Sequence, residues 1–187
     1  VGERRLARLA EAFDLKVERS FLEIHPETPP EGRSIESLGY PPERWAKMTA
    51  NLARMGKGED IVFIDRTFTT NSHKALLLAE AARESDTGVF EALNEALFRA
   101  YFSQGKNIGD ETVLRRIAEE AGVPGKTVDL AWSDPRFEER LKRQHEVAAR
   151  VGVTGIPTFI LGNKWIIEGA VPTEMLKDVA LKAAAAS

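Results

Sequence analysis

The chemistry open to this chain is set first by a residue type it does not contain. Cysteine is absent, which excludes disulfides, thiolate metal sites and a cysteine nucleophile among these residues. Three histidines remain, His25, His73 and His145. None has a second ligand at His-Glu-x-x-His spacing, so no metal site is expected. His145 falls on a helix face and His73 near a helix start, a structural position, whereas His25 lies in a proline-rich loop within reach of a cleft. Glu23, Glu27 and Glu31 flank that loop, but their spacing fixes no acid–base pair. No Gly-x-Ser-x-Gly elbow occurs. Pro124-Gly-Lys-Thr127 ends like a phosphate loop, yet Glu120 stands where that motif needs glycine, and a helix rather than a strand precedes it. The most specific segment is Val151–Pro172, in which Pro157 opens an apolar strand and Gly162-Asn163 marks a hairpin turn. Proline is tolerated at a strand start, and the Ile156-Pro157 dipeptide alone favours the trans form.

These residues must be positioned by elements legible in the pattern. Leu6, Leu9, Ala10 and Phe13 predict a helix over 2–13. Alternation of Leu15, Val17, Phe21 and Ile24 predicts an irregular strand over 15–24. Residues 25–42 hold Pro26, Pro29, Pro30, Pro41 and Pro42 and read as a long loop. A helical block follows, with helices at 43–55, 72–84, 87–103, 110–121, 126–132 and 135–151, interrupted by an extended piece at 61–64. Ser72, Asp110 and Asp134-Pro135 mark helix starts, and Gly105, Gly122 and Gly152 mark ends. Strands at 157–161 and 164–168 and a last helix at 173–184 close the chain. Trp165, on the second of these strands, is placed to border a cleft.

Composition narrows the class. The chain has 187 residues, 43% hydrophobic, with net charge −3. That suits one domain, or one domain with a large insertion, around a buried core. A weakly acidic chain offers no bulk attraction to nucleic acid, and Arg4, Arg5 and Arg8 read as a solvated helix face. No apolar run approaches the ~18 residues of a membrane span.

The order of long helix, Gly152-Val-Thr-Gly-Ile-Pro-Thr-Phe159, Gly-Asn turn, strand, Gly169-Ala-Val-Pro172 and closing helix resembles the C-terminal half of DsbA-like thioredoxin-fold proteins. Val1-Gly-Glu-Arg-Arg-Leu6, His25-Pro-Glu-Thr-Pro-Pro-Glu-Gly32 and Asn71-Ser-His73 resemble segments of the FrnE-like dithiol oxidoreductase branch. The resemblance implies an α/β thioredoxin fold with a mixed sheet and a large all-helical insertion. It divides the chain into a thioredoxin-like part at 1–40 and 151–187 and an insertion at 41–150. It implies a cis bond at Pro157 that leaves the amide and carbonyl of Ile156 free to pair with an extended substrate, with Ile156, Pro157, Thr158 and His25 as substrate contacts. The branch's first strand and paired cysteines match no residue here, so the catalytic thiols are expected upstream of Val1 and this chain is expected to be redox-inert. Without that strand, 15–24 and 157–161 are expected to leave a gap in the sheet, to be filled by upstream residues or by another element, for which Ile61–Ile64 is the candidate.

The implied partners are protein thiols and disulfides, with no cofactor, in the cytoplasm. Two other readings stand beside it. One is a glutathione-using relative of the 2-hydroxychromene-2-carboxylate isomerase or kappa-class type, in which the thiol belongs to the bound tripeptide. The other is a redox-dead peptide-binding domain.

Overall fold

The computed structural model describes residues 1–186. Contacts divide the chain into two compact units, Val1–Ser20 with Glu146–Ser187, and Phe21–His145. This division and the sequence-based one differ in where they put residues 21–40, which fall with the helical unit, and residues 146–150, which fall with the first unit.

The first unit begins with α1 (Gly2–Ala10) and ends with a hairpin and helix: β3 (Thr158–Leu161), β4 (Trp165–Glu168) and α8 (Thr173–Ala185). The hairpin is antiparallel, with Thr158 opposite Glu168 and Leu161 opposite Trp165. Gly162 and Asn163 both adopt positive φ, the left-handed backbone that a two-residue hairpin turn requires. Period-two alternation turns Phe159, Leu161 and Ile167 toward a core of Leu9, Leu176 and Ala180, while Ile160 and Ile166 face outward. Leu6, Phe13 and Leu15 pack against the same core. Full burial of a leucine such as Leu9 or Leu176 contributes about 1.5–3 kcal/mol.

The second unit holds β1 (Arg33–Ser34), α2 (Pro42–Lys57), β2 (Phe68–Thr69), α3 (His73–Ala82), α4 (Thr87–Phe98), α5 (Glu111–Glu120) and α6 (Gly125–Ser133), and α7 (Pro135–Arg150) runs out of it. α3 is buried along most of its length and is apolar on nearly every face, as a central helix must be. α5 instead shows one stripe, Leu114, Ile117 and Ala118, with Arg115 and Arg116 outside. Both stripes join one core with Leu93, Val128, Phe137 and Leu141. α4 continues as a π-helical turn, Arg99–Ser103, so the single helix expected over 87–103 changes its hydrogen-bond register near its end.

Three expectations are corrected. The segment 15–24 forms no strand, and among the described residues no ladder joins it to β3. A strand exists only where a neighbour accepts its backbone bonds, and the side-chain alternation of 15–24 carries no information on that. The loop 25–42 contains β1, which pairs with β2 (Arg33 opposite Thr69), and a 3-10 turn at Ile35–Leu38. Ser72 occupies the position before α3 but makes no side-chain cap, and Asn71 Oδ1 accepts the His73 N–H instead, at 2.8 Å. Asp110 does cap its helix, accepting from the N–H groups of Thr112 and Val113.

Candidate functional site

In the first unit, Ile156, Pro157 and Thr158 stand at the mouth of β3 against the start of α1. The Ile156–Pro157 bond is cis. A Cβ placed on Gly2 would lie 3.1 Å from Pro157 Cγ and 3.4 Å from Phe159 Cζ, so the proline ring rests directly on the first turn of α1. No side chain caps that turn. The helix dipole gives it a partial positive charge.

Two staples hold the loop before β3. Glu168 accepts from Thr154 Oγ1 at 3.0 Å, and Thr158 Oγ1 donates to the Gly155 carbonyl at 2.7 Å. Gly169 N–H donates to the Pro157 carbonyl at 2.7 Å and closes the hairpin end. Ile156 between them is left out. It is 53% exposed, and among the described residues neither its N–H nor its carbonyl has a hydrogen-bond partner. The loop is therefore ordered on both sides of a residue whose two backbone groups are open. An extended chain can pair with such groups as an added strand. Arg5 secures α1 from behind through a hydrogen bond to the Ala170 carbonyl, and Glu3 pairs with Arg19 at 3.1 Å.

The other sequence candidates lie elsewhere. His25 belongs to the second unit, where its Nδ1 is 3.3 Å from Glu27 Oε1, and Glu27 also pairs with Arg33. A backbone N–H within its own turn and the Arg33 guanidinium hold the Glu27 carboxyl below its usual range. Trp165 is half-buried with Nε1 shielded from solvent, and Lys164 Nζ stands 5.5 Å over its ring. Among the described residues no metal-binding cluster of His, Asp or Glu forms.

Composition and spacing alone missed a polar network that builds the proline-rich loop. Asn71 Nδ2 donates to the Thr28 carbonyl at 2.5 Å, and Asn107 Nδ2 to the Pro30 carbonyl at 3.0 Å. Thr70 joins Asn107 through its hydroxyl and accepts the Gly109 N–H at 2.9 Å. Loop carbonyls without a ladder need such partners. The signal available was the polar run Thr69-Thr-Asn-Ser72 ahead of an apolar helix. Beside this network a cavity of about 420 Å³ is lined by Glu23, Pro26, Pro30, Asn71, His73, Lys74 and Gly109. Burial works against a charge on His73, but hydrogen bonds and charge from Glu23 and Glu138 outweigh it and raise its pKa.

An α/β arrangement with an α1 terminus beneath a cis-proline and a separate helical unit defines a thioredoxin-fold protein of the DsbA type. The chain belongs to the DSBA-like thioredoxin domain family, whose family model matches residues 1–180. It is 27% identical over 182 residues to the uncharacterized protein YwbO of Bacillus subtilis, covering 95% of this chain and 86% of that one. The probable DsbA oxidoreductase SCO1869 of Streptomyces coelicolor shares the fold with a TM-score of 0.86 at 22% identity, over 98% of this chain and 83% of that one. A 2-hydroxychromene-2-carboxylate isomerase does so with a TM-score of 0.71 at 17% identity, over 98% and 88%.

Proposed function

We propose that this chain is the substrate-docking and scaffold portion of a FrnE-like thiol–disulfide oxidoreductase whose catalytic thiols are supplied from upstream of Val1. The observation that carries the reading is the open backbone of Ile156 beside the uncapped start of α1. A thiol held at that helix start is favoured as thiolate by the helix dipole. The thiolate attacks one sulfur of a substrate disulfide, the substrate S–S bond breaks, and a mixed disulfide forms with loss of a substrate thiolate. A second thiol displaces the substrate, which leaves reduced while the enzyme pair becomes a disulfide. Throughout, the substrate backbone pairs with Ile156, with Pro157 and Thr158 shaping the contact.

Main-chain pairing reads no particular side chain, which suits protein disulfides of varied sequence as partners. We place the protein in the cytoplasm, where a dithiol is kept mostly reduced and acts as reductase or isomerase. Insulin reduction, assayed with the gene's whole product and with this chain, tests the reading. The whole product is expected to reduce insulin and this chain to be inert. A whole product with an upstream Cys-x-x-Cys and no exchange activity overturns it.

A glutathione-using reading is favoured by one observation, the absence of cysteine from these residues in a fold shared with a 2-hydroxychromene-2-carboxylate isomerase. Titrating this chain with glutathione while following tryptophan fluorescence separates the two. Saturable quenching supports the glutathione reading, and none supports disulfide exchange. An upstream region without paired cysteines, together with peptide binding, would instead indicate a redox-dead peptide-binding domain.

A further inference from the structure

Among the described residues no other helix or strand packs extensively against α2, and loops hold it instead. Its inward side is Trp45, Thr49, Leu52 and Gly56, spaced three or four apart and none of them exposed. The Trp45 ring stacks on Tyr40 at 6.1 Å, and a Cβ on Gly56 would lie 2.6 Å from both the Ile61 carbonyl and the Phe63 ring. That side is therefore tied to loop residues at both ends. Arg44, Lys47, Met48, Asn51, Arg54 and Met55 repeat at the same spacing and form a second stripe beside it. All but the half-buried Met55 are exposed. The stripe runs for three turns, about 17 Å.

Charge along this helix is unbalanced. α2 carries four cations, Arg44, Lys47, Arg54 and Lys57, against one carboxylate, Glu43, in a chain whose net charge is −3. Elsewhere Arg19, Arg33, Lys74, Arg115 and Arg136 each meet a carboxylate. Among the described residues none of the four on α2 does. Arg44 lies 5.7 Å over the Tyr40 ring, and Arg54 donates to Asn51 Oδ1 at 2.6 Å. Arg54 and Lys57, in the last turn, offset the negative end of the helix dipole. Arg44 stands in the first turn, beside the positive end, where a cation weakens a helix. Its place there does not serve the stability of α2. Met48 and Met55 add adaptable apolar surface beside these charges.

We propose that this stripe of α2 docks an acidic amphipathic helix of another protein, with its carboxylates on Arg44, Lys47 and Arg54 and its apolar residues on Met48 and Met55. Positions repeating at three and four form the seam that a second helix meets at a shallow crossing angle. Unmatched cations on one such seam select carboxylates on the other. A lipid surface is a poorer fit, because an interfacial helix turns Trp, Phe or Leu outward and this stripe has none. Single-stranded nucleic acid is poorer still, because it calls for an exposed aromatic platform and Trp45 is turned in against Tyr40. The docking surface lies within the helical unit and is independent of the disulfide-exchange reading.

Titrating the nitrogen-15-labelled chain with a three-heptad synthetic peptide, a leucine seam flanked by glutamates, tests this. Saturable binding is expected, with amide shifts at Lys47, Met48, Asn51 and Arg54 and an affinity that falls as salt rises. A twin peptide with glutamine for every glutamate is expected to bind about tenfold more weakly or worse. The same loss is expected when the acidic peptide meets the double variant Lys47→Glu, Arg54→Glu. Both residues are exposed, so the variant is expected to keep the melting temperature of the unaltered chain. Should it fail to fold, the Met48 and Met55 methyl resonances of the unaltered chain give a second reading. They are expected to shift with the glutamate peptide and not with its twin. No saturable binding at millimolar peptide, or equal binding of the twin, overturns the proposal. So does a stronger response of the same residues to phosphatidylglycerol vesicles or to a DNA duplex.

Discussion

A Cβ on Gly2 would lie 3.1–3.4 Å from Pro157 and Phe159, tighter than ordinary van der Waals contact. Gly2→Val is expected to crowd that contact and cost about 1–3 kcal/mol, as overpacking does elsewhere. Gly2→Ala, with a single methyl, is expected to be milder, partly offset by alanine's helix preference. Thermal unfolding of the two variants checks this, and a Gly2→Val melting temperature equal to that of the unaltered chain would show that α1 does not rest on the proline. The placement of Ile156-Pro157 was readable from residue order: at the mouth of a strand, after a glycine-bounded helix end and before a Gly-Asn turn. What the order could not show was Gly2's role, because the partner it leaves room for lies 155 positions away by residue number. His73 and His145 were readable as structural residues, whereas the bonds each makes to Glu23 were not.

Helices were legible to within a few residues because an apolar stripe is a local signal, sharpened at some ends by a cap such as Asp110 or a glycine such as Gly122 or Gly152. The capping of α3 shows where that logic thins. Ser72 holds the expected place, yet Asn71 supplies the oxygen and simultaneously satisfies the Thr28 carbonyl. Asn71→Ala is expected to cost about 1–2 kcal/mol, the weight of a helix cap together with a stranded carbonyl. Ser72→Ala is expected to stay within about 0.5 kcal/mol, since its side chain makes no cap bond. Urea unfolding midpoints measure both, and a larger loss for Ser72→Ala would reverse the assignment. Strands were legible only where a hairpin turn names the partner, as for β3 and β4. For 15–24 nothing local names one, and β1 and β2 are too short to carry an alternation at all.

Whole-molecule behaviour follows from how charge is arranged around the helical core. His73 has its pKa raised in the folded state, with burial opposing and Glu23 and Glu138 prevailing. Its stabilising contribution is therefore complete below the unfolded value, about 6.5, and is lost as pH rises through the folded value. Unfolding midpoints are expected to decline across that alkaline interval in the unaltered chain, and the decline is expected to shrink in His73→Gln. Equal slopes in the two proteins would remove His73 from the account. At this scale the proposed function rests on the first unit, which offers an open backbone beside a helix start. The most direct test is an amide-resolved NMR titration of this chain with an extended, cysteine-blocked peptide. A saturable downfield shift of the Ile156 amide, with Thr158 and the first turn of α1 following, is the expected result. Saturable binding that leaves Ile156 unmoved, or no binding at millimolar peptide, would contradict it.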